Sequence, residues 1–244
     1  MKFYACSQMG ISKKENEDRM ILGKSVIAEG SFITNIDTGT IAIADGVGGN
    51  NAGAVASHFV ATRLTVTDNI SLEQLSKINT DLIELSNTEP QYSKMATTLS
   101  GIHFDKDRIF IFHVGNTRIY TLQGGKYLKQ LTFDDTTINY LIASGRLSSD
   151  EAENFDRKNE IIACFGGGIP TLFKVTLSTV SITSPILLTS DGIHDYLSTD
   201  SLEDIVDEYG ISLQTCEKLI DVARQQGSVD DASVIIGGYI YTRI

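Results

Sequence analysis

The chain has 244 residues, 41% of them apolar and 21% charged, a globular balance that excludes disordered and collagen-like structure. Its 31 acidic residues outnumber 20 basic ones, and the net charge of −11 argues against a nucleic-acid or anionic-membrane partner while suiting acidic residues that hold cations. The sequence has no apolar run of the roughly 18 residues a membrane span needs, no signal-peptide pattern, and only three scattered cysteines (Cys6, Cys164, Cys216), so a reducing cytoplasm is expected.

No internal repeat or proline-rich linker interrupts the chain, and one domain over 1–244 is expected. In chain order, TIAIAD (40–45) is a short apolar run before a glycine-rich turn and reads as a buried strand. Residues 52–64 repeat Val55, Ala56, Phe59, Val60 and Leu64 at helical spacing. Ser71 and Gln74 fit a capping box that opens a second helix with Leu75, Ile78, Leu82 and Leu85 as its buried stripe. Segments 96–104, 108–114, 117–122 and 126–131 alternate and read as an antiparallel meander, with Gly115-Asn116 and Gly124-Gly125 as two-residue hairpin loops. A helix is expected over 135–145, stopped by Gly145, and Ser148 with Glu151 forms another capping box. Residues 154–170 read as irregular. Strands follow near 171–183 and 186–190, then helices near 200–208 and 212–225, and a strand pair over 232–242. Strands at both chain ends around two helical blocks predict an α+β sandwich with sheets inside and helices outside.

Acidic residues stand where apolar runs meet turns. Asp45 ends TIAIAD, Asp191 ends ILLTSD, Asp230 and Asp231 precede ASVII, and Glu17-Asp18 lies in ENED. Hard divalent cations such as Mg²⁺ and Mn²⁺ take oxygen ligands, several of them carboxylates, and cancel the repulsion of carboxylates that converge. Taken singly, an Asp-Gly pair such as Asp45-Gly46 or Asp191-Gly192 is equally a common turn.

The chain resembles the bacterial metal-dependent type 2C (PPM-type) protein serine/threonine phosphatases. The resemblance runs in order through NED (16–18), DGVGGNNAG (45–53), ATTL (96–99), VGNTRIY (114–120), LTFDDTTINYLIASGRL (131–147), LLTSDGIHDYL (187–197) and DDASVII (230–236). It implies a four-layer αββα sandwich with two central antiparallel β-sheets and a centre holding two Mn or Mg ions. It assigns Asp45 to bridge both ions, the Gly46 carbonyl to one of them, and Asp191 and Asp230 to the first. Glu17 and Asp18 fall on the acidic pair that holds water around the second ion. The implied chemistry is attack on phosphoserine or phosphothreonine by a water activated between the ions, needing neither a Cys nor a Ser nucleophile. The four histidines receive no role.

Two positions depart from the pattern. The family's phosphate-gripping Arg is Lys13 here, which keeps the charge but loses the planar two-pronged grip. The family's Gly-Asp-Ser-Arg becomes GNTR, so Asn116 stands at the third-metal position and a third ion is expected to bind weakly. Residues 144–168 fall on the family's variable flap beside the site. The implied partners are phosphorylated proteins, substrates of a Ser/Thr kinase, with neither nucleic acid nor membrane. The alternative reading, which Lys13 and Asn116 favour, is a low-activity or inactive relative that binds phosphoproteins or regulates a partner.

Overall fold

A strand that is apolar on both faces must lie between two other layers. In β5 (Gly39–Val47), Ile41 and Ile43 alternate with Ala42 and Ala44, and all four are inaccessible to solvent. In β14 (Ala232–Gly237), Ile235 alternates in the same way with Val234 and Ile236. The computed structural model describes residues 1–47, 52–67, 69–105, 108–152, 155, 160–168, 172–181 and 183–238, and in it these alternations sort into three apolar layers. The middle layer, with Phe3, Met20, Ile41, Ile43, Ile102, Leu188 and Ile235, lies between two antiparallel sheets.

One sheet runs β10 (Tyr127–Gln130), β9 (Arg118–Gln123), β13 (Ile186–Thr189), β14, β1 (Lys2–Gln8), β4 (Gly30–Asn35). The other runs β11 (Phe165–Gly166), β6 (Ala96–Thr97), β5, β7 (Leu99–Asp105), β8 (Arg108–Val114), β12 (Thr176–Val180). β2 (Asp18–Leu22) also pairs with β5, and β3 (Ser25–Ile27) pairs with β2. Helices α1 (Ala52–Thr65) and α2 (Leu72–Ser86) cover the second sheet through Val60, Leu64, Leu75 and Leu82. After α3 (Thr137–Ala143), α4 (Ser149–Ala152) and α5 (Asp191–His194), helices α6 (Thr199–Tyr209) and α7 (Leu213–Gln225) cover the first sheet through Leu202, Ile205, Cys216, Leu219 and Ile220. This is the expected αββα sandwich.

The expected helices and caps form. Ser71 caps α2 by accepting the Gln74 N–H, and Ser148 and Glu151 bond each other reciprocally at the start of α4. Gly124 and Gly125 both have positive φ, 60° and 74°, as a two-residue hairpin between β9 and β10 requires. The meander, however, is split. β7 and β8 belong to one sheet and β9 and β10 to the other, so Gly115-Asn116 is a crossover between sheets and not a hairpin. Asp191 likewise opens α5 instead of ending a strand. Phe165–Gly166 forms a short strand within the segment expected to be irregular. The turn at 48–51, part of the flap segment (153–154 and 156–159) and the end of the last strand pair (239–242) lie outside the described residues.

Cys6, Cys164 and Cys216 are unpaired and buried, and burial pushes the Cys164 thiol up to about 11. Among the described residues no helix is long and apolar enough to cross a membrane. Ser71→Ala removes the α2 cap and should lower unfolding stability by about 1 kcal/mol, read as a shifted denaturation midpoint at constant slope.

Candidate metal centre

Register brings the predicted aspartates together. Asp18 opens β2 and stands opposite Asp45 in β5. Met20, Leu22, Ile41 and Ile43 fill the inter-sheet layer, so the period of two aims Asp18 and Asp45 into the same gap, at its end. Across that gap, Asp191 follows β13, and Asp230 and Asp231 precede its antiparallel neighbour β14. In antiparallel pairs the end of one strand meets the start of the next, so each sheet contributes carboxylates at one rim.

Asp18 is 1% exposed. Its Oδ2 accepts the Ser190 hydroxyl at 2.8 Å, while Oδ1 has no hydrogen-bond partner among the described residues. Desolvation, then the charges of Asp231 and Asp191, push its pKa up from 3.8 to about 8. Half-buried Asp45 is raised well above the usual carboxylate range by desolvation, then by the charges of Asp191, Asp18 and Asp230. The Asp45 and Asp191 carboxyls also act on each other, raising Asp45 and lowering Asp191, so a proton or a cation between them would relieve their opposition. Asp191 is raised by desolvation and then by Asp230, against the hydrogen bond that the Asn116 amide donates to its Oδ2 at 3.1 Å.

The two halves of the Asp230-Asp231 pair do different work. Asp231 is buried, and its two oxygens accept the N–H groups of Gly10 and Glu17, each at 2.7 Å. Asp230 stays at the rim, 3.0 Å from the Lys13 ammonium. Lys13 also meets Glu17 Oε2 at 2.8 Å and lies 3.7 Å from Asp231. Burial alone would lower its pKa, but the hydrogen bonds to Glu17 and Asp230 prevail and raise it.

Several positioning residues were not singled out in the sequence. The Asp45 carbonyl accepts the Thr98 N–H at 2.8 Å and the Thr97 hydroxyl at 2.9 Å, and its N–H points to Thr98 Oγ1 at 3.2 Å. Thr98 Oγ1 in turn meets Thr117 Oγ1 at 2.7 Å, beside Asn116. The ATTL segment held this signal, though a pair of threonines in a strand is unremarkable without the register. Asp135 fixes the Asn116 loop by accepting the Gly115 N–H at 3.0 Å and donating its own N–H to the Gly115 carbonyl at 2.7 Å.

Neither Asp-Gly pair is a hairpin turn. A Cβ at Gly46 would lie 2.3 Å from the Gly53 carbonyl oxygen, and one at Gly192 would lie 1.9 Å from the Asp231 carbonyl oxygen. Both glycines are needed because backbone closes on backbone around the aspartates.

An orphaned buried carboxylate oxygen, carboxylates whose charges oppose one another and an all-oxygen donor set fit a hard divalent cation. The carboxylates converge without a ready-made cage: among the described residues no three His, Cys, Asp or Glu side chains form a group that could hold an ion as they stand.

Sheets, helices and acidic gap together define one class of protein. Residues 31–226 match the model for Protein phosphatase 2C, and the chain belongs to that family. It is 28% identical over 251 residues to the Serine/threonine protein phosphatase PstP of Mycobacterium tuberculosis, covering 98% of this chain and 45% of that protein. The chain thus spans less than half of that relative's length. It is 29% identical over 209 residues to the Protein phosphatase PhpP of Streptococcus pneumoniae, covering 80% of this chain and 84% of that one. The crystal structure of the M. tuberculosis phosphatase PstP/Ppp superposes with a TM-score of 0.81 at 26% identity, over 99% of this chain and 100% of that one. A second crystal structure, of the PstP catalytic domain in complex with two manganese ions, gives 0.72 at 26% identity, over 97% and 98% of the two chains.

Raised carboxylate pKa values make a prediction with a definite sign. The folded chain holds protons that the unfolded chain has released, so stability falls as pH rises from the ordinary 3.8 through about 8, the value for Asp18. In chelator, the melting temperature should therefore drop across that window. Mn²⁺ at pH 8 should restore it, and a flat profile in chelator would contradict the mutual repulsion of these groups.

Proposed function

We propose that the chain is a metal-dependent protein serine/threonine phosphatase that uses Mn²⁺ or Mg²⁺ to hydrolyse phosphoserine and phosphothreonine esters. The observation that carries this reading is the convergence of Asp18, Asp45, Asp191 and Asp230 at one end of the inter-sheet gap, with their charges opposing one another. Membership of the family and the phosphatase names of PstP and PhpP support it, as does the manganese in the PstP catalytic domain.

In this reading Asp45 would serve both of two ions, the Gly46 carbonyl one of them and Asp191 and Asp230 the first, while Glu17 and Asp18 would hold water at the second. When bound, two such ions supply a water of lowered pKa and neutralise charge on the phosphoryl oxygens. The chain's own residues orient and balance these groups. Ser190 holds Asp18 Oδ2 and leaves Oδ1 to accept from water. Thr97 and Thr98 fix the backbone of Asp45. Lys13 exchanges Glu17 and Asp230 for the substrate phosphate, as a point charge without the fork of an arginine. Water adds to phosphorus as the seryl or threonyl oxygen leaves, giving the alcohol and inorganic phosphate with no esterified side chain.

Asn116 donates to Asp191 where a carboxylate would add charge, so a third ion binds weakly. The whole of 1–244 is read as one phosphatase domain with a flap near 144–168 that helps select phosphorylated proteins. Those proteins are taken to be substrates of a Ser/Thr kinase, and the chain itself is read as cytoplasmic. A second reading, a weak or inactive relative that binds phosphoproteins or regulates a partner, is favoured by the same Asn116 contact and by the engagement of Lys13 with its own carboxylates.

Hydrolysis of p-nitrophenyl phosphate and a phosphothreonine peptide separates the two readings. The phosphatase reading expects turnover that needs Mn²⁺ or Mg²⁺ and disappears in Asp191→Asn. Silence under every metal selects the second reading. Lys13→Ala should lower kcat/KM by about tenfold, the loss expected for one hydrogen bond to a charged group, with Lys13→Arg retaining activity. Asn116→Asp should raise turnover at high Mn²⁺; an unchanged rate across a metal titration would remove the third-ion argument.

A further inference from the structure

We infer that Arg224 is a positioning residue for the metal centre, holding apart and in register the two loops that carry Lys13 and Glu17 on one side and Asp230 on the other. The inference rests on the metal-dependent reading above. Arg224 sits in the last turn of α7, where a cation is already favoured by the helix carbonyls. Its guanidinium reaches well beyond them. Nη1 donates to the carbonyls of Ser228 at 3.1 Å and Asp230 at 2.5 Å. Nη2 donates to the carbonyls of Met9 at 2.9 Å and, more weakly, Gln8 at 3.5 Å. One side chain thus ties the exit of β1 to the entry of β14, the point where paired residues Gln8 and Ala232 leave the sheet.

The loops meet directly beyond this tie. A Cβ on Gly10 would lie 2.5 Å from the Val229 carbonyl oxygen. Asp231 accepts the N–H groups of Gly10 and Glu17 from the far side, so the two loops are joined by a cationic pin at one level and an anionic pin at the next. Ser228 adds a bond from its hydroxyl to the Gly192 carbonyl at 2.8 Å, linking the same loop to the residue after Asp191. The gap between Lys13 and Asp230 is therefore set by backbone carbonyls gathered on Arg224. An ammonium in its place could not span four carbonyls in two planar pairs.

The test uses the full chain and reads metal binding directly. Mn²⁺ affinity is measured by the electron paramagnetic resonance signal of free Mn²⁺, and amide hydrogen exchange is followed in chelator. Arg224→Ala should weaken Mn²⁺ binding by about ten- to a hundredfold, as loss of outer supports to a metal site does. It should also speed exchange at the Gly10 and Glu17 amides in the metal-free chain, with Arg224→Lys recovering part of both. Ile220→Val loosens the core face of the same helix and serves as the stability control, which should leave both readouts unchanged. Arg224→Gln carries the same comparison if the alanine variant fails to fold. Wild-type Mn²⁺ affinity in the Arg224 variants, or an equal loss in Ile220→Val, overturns the positioning role alone, provided Asp191→Asn abolishes binding. A wild-type chain that binds no Mn²⁺ overturns the metal reading and this inference with it.

Discussion

Mutual repulsion among carboxylates is the condition around which this molecule is arranged. Asp18, Asp45 and Asp191 are driven toward their neutral forms by partial or complete removal from water and by one another, and Asp230 adds its charge from the rim. Groups in that state destabilise the fold that holds them, and they persist only where the surroundings over-determine their positions. Here the surroundings are three apolar layers, with the aspartates at the open end of the middle one. Hydrogen bonds to backbone supply the remaining constraint: Thr97 and Thr98 on Asp45, and Asp231 on Gly10 and Glu17. The result is a site whose backbone is held in place by these bonds while its acidic side chains converge without yet forming a cage.

Much of this was legible in the sequence where the signal is local. The run at 40–45 reads as a strand because both of its faces are apolar, and the Ser71 cap and the buried stripe of α2 follow from residues within four positions of one another. Gly124-Gly125 is a hairpin because both glycines take the positive φ of a two-residue loop and the runs on either side pair back on each other. Gly115-Asn116 has the same appearance and a different outcome. The choice between pairing back and crossing to another sheet is made by distant partners: Ile119 and Tyr120 pair with Leu188 and Leu187 of β13, nearly seventy residues on. The aspartates were found by their positions beside apolar runs and by the ordered motifs, but their surroundings were not. Thr97, Thr98, Ser190 and Arg224 act through backbone or carboxylate groups that only the strand register brings near. Even the glycines after Asp45 and Asp191, legible as residues the site needs, serve close backbone approach and not a turn.

Asn116 and Lys13 act on the same balance. The Asn116 amide faces Asp191 without a negative charge and adds a donor that steadies its ionised form. Lys13 retains its charge and distributes it between Glu17 and Asp230. Both contacts make the acidic gap less repulsive in the absence of a cation. The stability gained by the resting chain and the electrostatic pull on incoming ions are therefore opposed.

The interior placement of all three thiols has a practical side. Because burial also holds their pKa values high, alkylating reagents at neutral pH find few thiolates to attack in the native chain. A single cysteine introduced on an exposed turn, such as that between β9 and β10, would consequently accept a spin label or fluorophore at one address. The chain is thus ready for site-specific labelling in solution without first being stripped of its own sulfhydryls.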